Sequence, residues 1–300
     1  MKSHSAGRIV ERLWYLGTEE AGIYLLEGDA SSMIINGGMS YLAPVVHDQL
    51  RAFGIDERKL KKLLILHSHF DHVGLVPFFR RRHPDLEVYA SGRAWQILQS
   101  PKGIETINAS SRLVAERKGL SGGMEGFDLE WHSDGEGTVV SEGVIDLGGL
   151  TVQILETPGH SSCSISAYVP EMKVLFPSDG GGIPYKAMML PSGNSNFTQY
   201  QQSLEKLKSL RVDMFCADHY GYVTGPDADG IIVRSIDSAK RYRSMVEAIY
   251  RRTASIDATA RELVEERYAQ VPDFVITPEI YTGVCRQIAR HIAGALEGKA

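Results

Sequence analysis

Three histidines and an aspartate stand within six residues of one another, at His67, His69, Asp71 and His72, directly after the apolar run Leu64-Ile65-Leu66. Imidazole and carboxylate groups at this density are metal ligands by type. His67 and His69 are two apart in an extended segment, so they point the same way. Asp71 and His72 fall where the chain turns toward Gly74, and two ligand sets therefore face one spot. A lone histidine beside an apolar strand is ordinarily a satisfied core residue. Burying four such groups together without an ion would leave several unpaired, at about 1–3 kcal/mol each. Three later apolar runs also end in ligand types: Thr157-Pro158-Gly159-His160, Ser178-Asp179-Gly180 and Asp218-His219-Tyr220-Gly221. The four-fold recurrence uses five of the ten histidines, which separates it from accident.

The elements that must carry these residues follow from periodicity and turn signals. Strands are expected over 13–16, 23–26 and 32–35, a helix over 45–53, the motif strand over 61–66 and a helix from 75 onward. That helix ends in Arg80-Arg81-Arg82-His83-Pro84, where cations favour the dipole and proline stops the helix, a simpler account than a nucleic-acid patch. A strand over 87–91 precedes a helical region over 94–118, broken near Pro101-Lys102-Gly103, and then a loop over 121–137 whose Trp131 and His132 are expected to belong to a surface loop, with reach to a site as the alternative. A hairpin turning at Gly148-Gly149 joins 144–147 to 151–156, and further strands are expected over 165–169, 174–176 and 212–217, with a helix over 197–210. The close of the chain is helical over 231–252 and 257–269, then again from Pro278 with Thr277 as N-cap, and its expected apolar stripe is Ile280, Val284, Ile288 and Ile292.

Composition bounds the partners. With 32 basic against 37 acidic residues in 300, the surface is mildly acidic and carries no general nucleic-acid footprint. No run of about 18 apolar residues exists for a membrane span, and the first 17 residues lack a leader-like stretch. Three cysteines, odd in number and far apart, argue against a disulfide framework and for a reducing cytoplasm.

The run His67-x-His69-x-Asp71-His72 resembles the signature of the metallo-β-lactamase-fold hydrolases, and the resemblance spans about residues 10–225. It implies an α/β fold, a four-layer αββα sandwich, with a catalytic domain over 1–228 and a C-terminal helical extension over 229–300 that roofs the cleft or forms a homodimer surface. Carried over singly, His67, His69 and His160 are implied as ligands of one divalent ion and Asp71, His72 and His219 of a second, with Asp179 bridging. Such donors suit Zn²⁺ or Fe, and also Mn²⁺. The implied mechanism is attack on a carbonyl by a hydroxide shared between the ions, oriented by Asp71. True β-lactamases of this fold do not carry aspartate at the bridging position, diiron reductases usually have Glu where His69 stands, and glyoxalase II carries a basic C-terminal pattern not found here. Nearly the whole chain is similar to thioesterases of the quinolone-signal response type, through His69-Phe70-Asp71-His72-Val73-Gly74-Leu75-Val76-Pro77 and, by a weaker match in the tail, Glu279-Ile280-Tyr281-Thr282-Gly283. That similarity implies a small acyl thioester as substrate, of acyl-CoA type, with Phe197 and Tyr281 as acyl-pocket residues. A lactonase or phosphodiesterase is the alternative within this chemistry, and a regulatory protein-binding module with a structural metal site is the alternative outside it. Two positions depart from the family's habit. Asp218 stands where Gly more often precedes the last histidine and is expected to need a tolerated left-handed backbone, and Ser178 replaces a common Gly before Asp179.

Overall fold

The computed structural model describes residues 2–3, 5–133, 135, 137–274 and 276–298, which fall into two compact units. Residues up to Glu156, Cys163–Ser178 and Arg211–Asp229 make the first; Thr157–Ser162, Asp179–Leu210 and the chain from Gly230 onward make the second.

After the short β1 (Lys2–Ser3), an antiparallel meander runs through β2 (Gly7–Val10), β3 (Leu13–Gly17), β4 (Gly22–Glu27) and β5 (Ser32–Ile35). Helix α1 (Ala43–Ala52) then crosses to β6 (Leu60–Leu64), and α2 (Val76–Arg82) to β7 (Glu87–Ser91), each strand parallel to the last as a helical crossover requires. Helices α3 (Gly92–Leu98) and α4 (Pro101–Arg117) lead to β8 (Thr138–Val140), which closes a seven-stranded sheet in the order β2 to β8. The chain continues through β9 (Gly143–Asp146), β10 (Thr151–Glu156), β11 (Ile165–Val169) and β12 (Val174–Phe176). It visits the second unit for β13 (Ile183–Tyr185), β14 (Met188–Leu190) and α5 (Phe197–Leu207), then returns as β15 (Met214–Cys216) and β16 (Tyr222–Thr224). The second sheet has the order β1-β16-β15-β12-β11-β10-β9.

Alternation explains why the two sheets share one core. Leu13 and Tyr15, Tyr24 and Leu26, Met33 and Ile35, and Leu64 and Leu66 take every second position and join a cluster with Val152, Ile154, Ile165, Ala167, Val174 and Phe176 of the other sheet. The intervening residues Leu16, Ile23, Leu25, Ile34 and Leu63 are buried too, so these strands read as continuous apolar runs.

The second unit holds the β13–β14 hairpin, α5 and the helices α6 (Ile231–Thr253), α7 (Ile256–Gln270) and α8 (Pro278–Leu296). Asn196 caps α5 by accepting from the Gln199 N–H, and Ser255 caps α7 by accepting from that of Ala258. Thr277 stands before Pro278 but makes no side-chain cap bond. The buried face of α8 is Tyr281, Cys285, Ile288, Ala289 and Ile292, so the expected stripe is rotated by about one position at its N-terminal end, where Ile280 and Val284 are half-buried.

Three other expectations shift. The motif strand stops at Leu64 and the approach to His67 is extended chain. The helical break falls at 99–100, where Ser100 caps α4 by accepting from the Gly103 N–H, so Pro101-Lys102-Gly103 opens a helix. Trp131 is a core anchor, donating from Nε1 to the Leu98 carbonyl at 2.8 Å, while His132 is exposed. Asp134 and Glu136 of that loop lie outside the described residues. Among the described residues, no helix is long and apolar enough to cross a membrane.

Candidate metal centre

In the first unit, the extended segment beyond β6 presents His67 and His69, and a short turn, Phe70–His72, presents Asp71 and His72. The loop after β5 clamps that turn from behind: the Gly37 N–H donates to the His72 carbonyl at 2.8 Å, and the Gly74 N–H donates to that of Gly38 at 2.8 Å. Gly74 is required by space, since a Cβ there would sit 2.3 Å from the Ser40 nitrogen. His219 follows β15 and is pinned to the start of β4 through its bridge with Ala21. In the second unit, the turn before His160 depends on Gly159, which has φ 129° and whose Cβ would meet the Tyr200 nitrogen at 2.1 Å.

The donor atoms sit close together. His67 Nε2 lies 3.2 Å from His69 Nδ1. Asp71 Oδ2 lies 3.5 Å from His72 Nε2 and 3.4 Å from His219 Nε2. Within the second unit, His160 Nε2 and Asp179 Oδ2 are 3.5 Å apart. Two ligand atoms bound tetrahedrally at about 2.0–2.2 Å from one ion stand about 3.3–3.6 Å from each other, so these separations fit shared coordination.

What lies behind the rings is equally consistent. His219 Nδ1 faces the Glu20 carbonyl at 3.2 Å, and His160 Nδ1 faces the Ser192 carbonyl at 2.7 Å. A carbonyl only accepts, so each Nδ1 carries the proton and each Nε2 presents its lone pair. His67 Nδ1 meets Ser178 Oγ at 3.0 Å, and His72 Nδ1 meets Asp218 Oδ2 at 2.9 Å. Burial pushes the Asp71 carboxyl up, but His72 and His219 beside it more than offset this and hold it well below the usual carboxylate range.

The expected ligands are therefore placed as two sets: His67, His69, Asp71, His72 and His219 in the first unit, His160 and Asp179 in the second. Phe197 is fully buried and stacks on Tyr242, so in this structure it packs a core and offers no surface to a substrate. Tyr281 is nearly buried and its hydroxyl accepts from Arg267 Nε at 3.0 Å. The strained backbone also moves: Asp218 is not left-handed, whereas Ser178 (φ 50°) and Tyr220 (φ 59°) are. Gly119-Leu120-Ser121-Gly122-Gly123 matches the Gly-x-Ser-x-Gly pattern of hydrolase nucleophiles, but Ser121 is exposed and follows helix α4 instead of a strand. Sequence reasoning missed the supporting carbonyls of Glu20 and Ser192 and the buried Arg267; none carries a local signal.

Residues 21–219 match the model of the metallo-beta-lactamase superfamily. The chain is 25% identical over 211 residues to the metallo-beta-lactamase fold-containing protein ST1585 of Sulfurisphaera tokodaii, covering 69% of this chain and 75% of that one. It is 26% identical over 209 residues to the acyl-coenzyme A thioesterase MBLAC2 of Gallus gallus, covering 67% of this chain and 71% of the other. Among solved structures, the metallo-beta-lactamase family protein TTHA1429 from Thermus thermophilus superposes with a TM-score of 0.66 at 17% identity, over 97% of this chain and 95% of that one. With the family match running from the start of β4 to His219, the chain belongs to the metallo-β-lactamase superfamily and is a metal-dependent hydrolase.

Proposed function

We propose that the protein hydrolyses a small acyl thioester of acyl-CoA type at a dinuclear centre. His67, His69 and His160 would hold one divalent ion and Asp71, His72 and His219 the second, with the Asp179 carboxylate available to both. The observation that carries this is the spacing of donor atoms at 3.2–3.5 Å within each unit, which coordination requires and chance packing does not. Nitrogen and oxygen donors without cysteine favour Zn²⁺ or Fe, with Mn²⁺ as a third candidate. Bound there, such ions supply a Lewis acid and a water that ionises near neutrality.

The chain's own residues do the rest. The Asp71 carboxylate, ionised across the working pH range, accepts a hydrogen bond from the attacking water and aims its lone pair at the carbonyl carbon. The imidazoles of His67, His72, His160 and His219, held at Nδ1 from behind, need no rearrangement as charge develops. Attack forms the carbon–oxygen bond, the carbon–sulfur bond breaks, and the products are a carboxylic acid and a thiol. The thioester class draws on the similarity to the MBLAC2 acyl-coenzyme A thioesterase and on the likeness of the motif and tail to thioesterases. A purely regulatory role is disfavoured by Asp71, a buried carboxylate that a structural ion site would not need.

The test is a panel of thioester, lactone and phosphodiester substrates, run with metal-loaded protein and His69→Ala. Thioesters should turn over fastest and the variant should lose at least about 100-fold, the usual loss for a damaged electrostatic centre. Elemental analysis should find two ions per chain. A lactone or phosphodiester as the preferred His69-dependent substrate overturns the thioester assignment.

A further inference from the structure

Ser178 and Asp218, the two departures from the family's habit, bond to each other and to two of the proposed ligands. Ser178 Oγ donates to Asp218 Oδ2 at 2.6 Å and faces His67 Nδ1 at 3.0 Å; His72 Nδ1 faces the same Oδ2 at 2.9 Å. All four residues are buried in the first unit. The direction of every proton follows from one carboxylate. Ser178 Oγ donates its hydrogen to Asp218 Oδ2, and that same acceptor oxygen takes the His72 Nδ1 hydrogen. With its hydrogen committed, Ser178 Oγ offers a lone pair and takes the His67 Nδ1 hydrogen. Both rings are thereby fixed as Nδ1–H tautomers, with Nε2 facing forward, and their centroids stand 4.0 Å apart.

Two further facts say that the pair is kept for this purpose. Ser178 holds a left-handed backbone (φ 50°), where glycine would be unstrained, so its hydroxyl is retained against a backbone penalty. Asp218 is 2% exposed, forms no ion pair with lysine or arginine among the described residues, and its Oδ1 has no hydrogen-bond partner there. A buried carboxylate so placed needs positive charge beyond the two bonds to Oδ2, and ions seated on His67 and His72 supply it.

We propose that Ser178 and Asp218 are a linked pair of positioning residues that sets ring orientation and cation affinity at both metal sites at once, because His67 and His72 are assigned to different ions. The inference rests on the dinuclear reading above. The glycine variant separates support from packing by comparing stability with affinity. Ser178→Gly relieves the strained backbone but deletes the hydroxyl that bonds buried Asp218 and His67, so the two effects on metal-free stability oppose one another, while Zn²⁺ affinity should fall about ten-fold or more.

The experiment titrates metal-free wild type, Ser178→Gly, Asp218→Asn and the double variant with Zn²⁺ against a chromophoric chelator. Melting curves of the metal-free proteins and Co²⁺ absorption spectra accompany the titration. Asp218→Asn should weaken both sites by about 10–100-fold, alter the Co²⁺ spectrum, and mask most of the Ser178→Gly effect in the double variant. Wild-type affinity in Ser178→Gly, or a lower melting temperature for that variant with affinity intact, overturns the proposal. So does a double variant whose losses simply add. If Asp218→Asn does not fold, Ser178→Gly alone decides. A wild type that binds no ion overturns the metal-centre reading itself, which keeps the two failures distinct.

Discussion

Asp71 sits 3.5 Å from His72 Nε2 and 3.4 Å from His219 Nε2, and is 5% exposed. Its asparagine variant keeps the shape and loses the charge, so Asp71→Asn should fold while kcat falls about 10²–10³-fold, the range seen when one electrostatic contact at a reacting centre is lost. Steady-state kinetics beside elemental analysis checks this, and an unchanged kcat would remove Asp71 from the chemistry. The candidate ligand residues were legible as candidates because their types are rare and their spacing repeats after strands. Their supports were not. The atom behind His219 is a carbonyl 199 positions away and the one behind His72 a carboxylate 146 positions away, and no local pattern announces either.

Elements decide how tightly that chemistry is held. The turn carrying Asp71 and His72 is bound by backbone bonds to the Gly37-Gly38 loop, and Gly74 lies against Ser40 with no room for a side chain. Gly74→Ala must push two backbone segments apart, at about 1–3 kcal/mol by analogy with overpacked cores. Urea unfolding should show that loss, together with weaker metal binding, because the displaced segment carries two ligands. Strand and helix identity was mostly readable from alternation and caps. The short strands β1, β2, β8 and β16 and the β13–β14 hairpin were not, since each strand is only two to four residues long, too short for alternation to show. The α8 stripe erred for another reason. Its spacing of four was correct, but the buried face includes Tyr281, which is bonded to Arg267 and packed edge-on with Phe274, and hydrophobic periodicity does not weigh such contacts.

For the whole molecule, metal and protons act on stability by linkage. Ions that bind only the folded chain add about 4 kcal/mol at a thousand times their dissociation constant. A chelator should therefore lower Tm by on the order of 10 °C, by the usual conversion for a large domain. Calorimetry with and without chelator, followed by re-addition of Zn²⁺, checks it; an unmoved Tm would contradict a folded-state metal centre. Glu57 gives the pH dependence. Its hydrogen bond and ion pair with Arg82, at 2.5 and 2.8 Å, hold its carboxyl below the ordinary 4.5. A lowered folded value stabilises above pH 4.5, and the contribution is lost as pH falls below that through the folded value. The group is partly exposed and screened, so the effect stays under about 1 kcal/mol. Glu57→Gln should melt slightly lower at pH 7, and its melting curve should converge on that of wild type toward pH 3.

Residue type and order by themselves determined the α/β class, the clustering of candidate metal ligands after strands and the helical close of the chain, because these depend on local spacing and side-chain donors. Only the tertiary structure decided which carbonyl, hydroxyl or carboxylate stands behind each imidazole, and that Ser178, not Asp218, bears the strained backbone. Those facts arise from hydrogen bonds between segments distant in sequence, whose geometry exists only once the sheets have packed and their turns have closed.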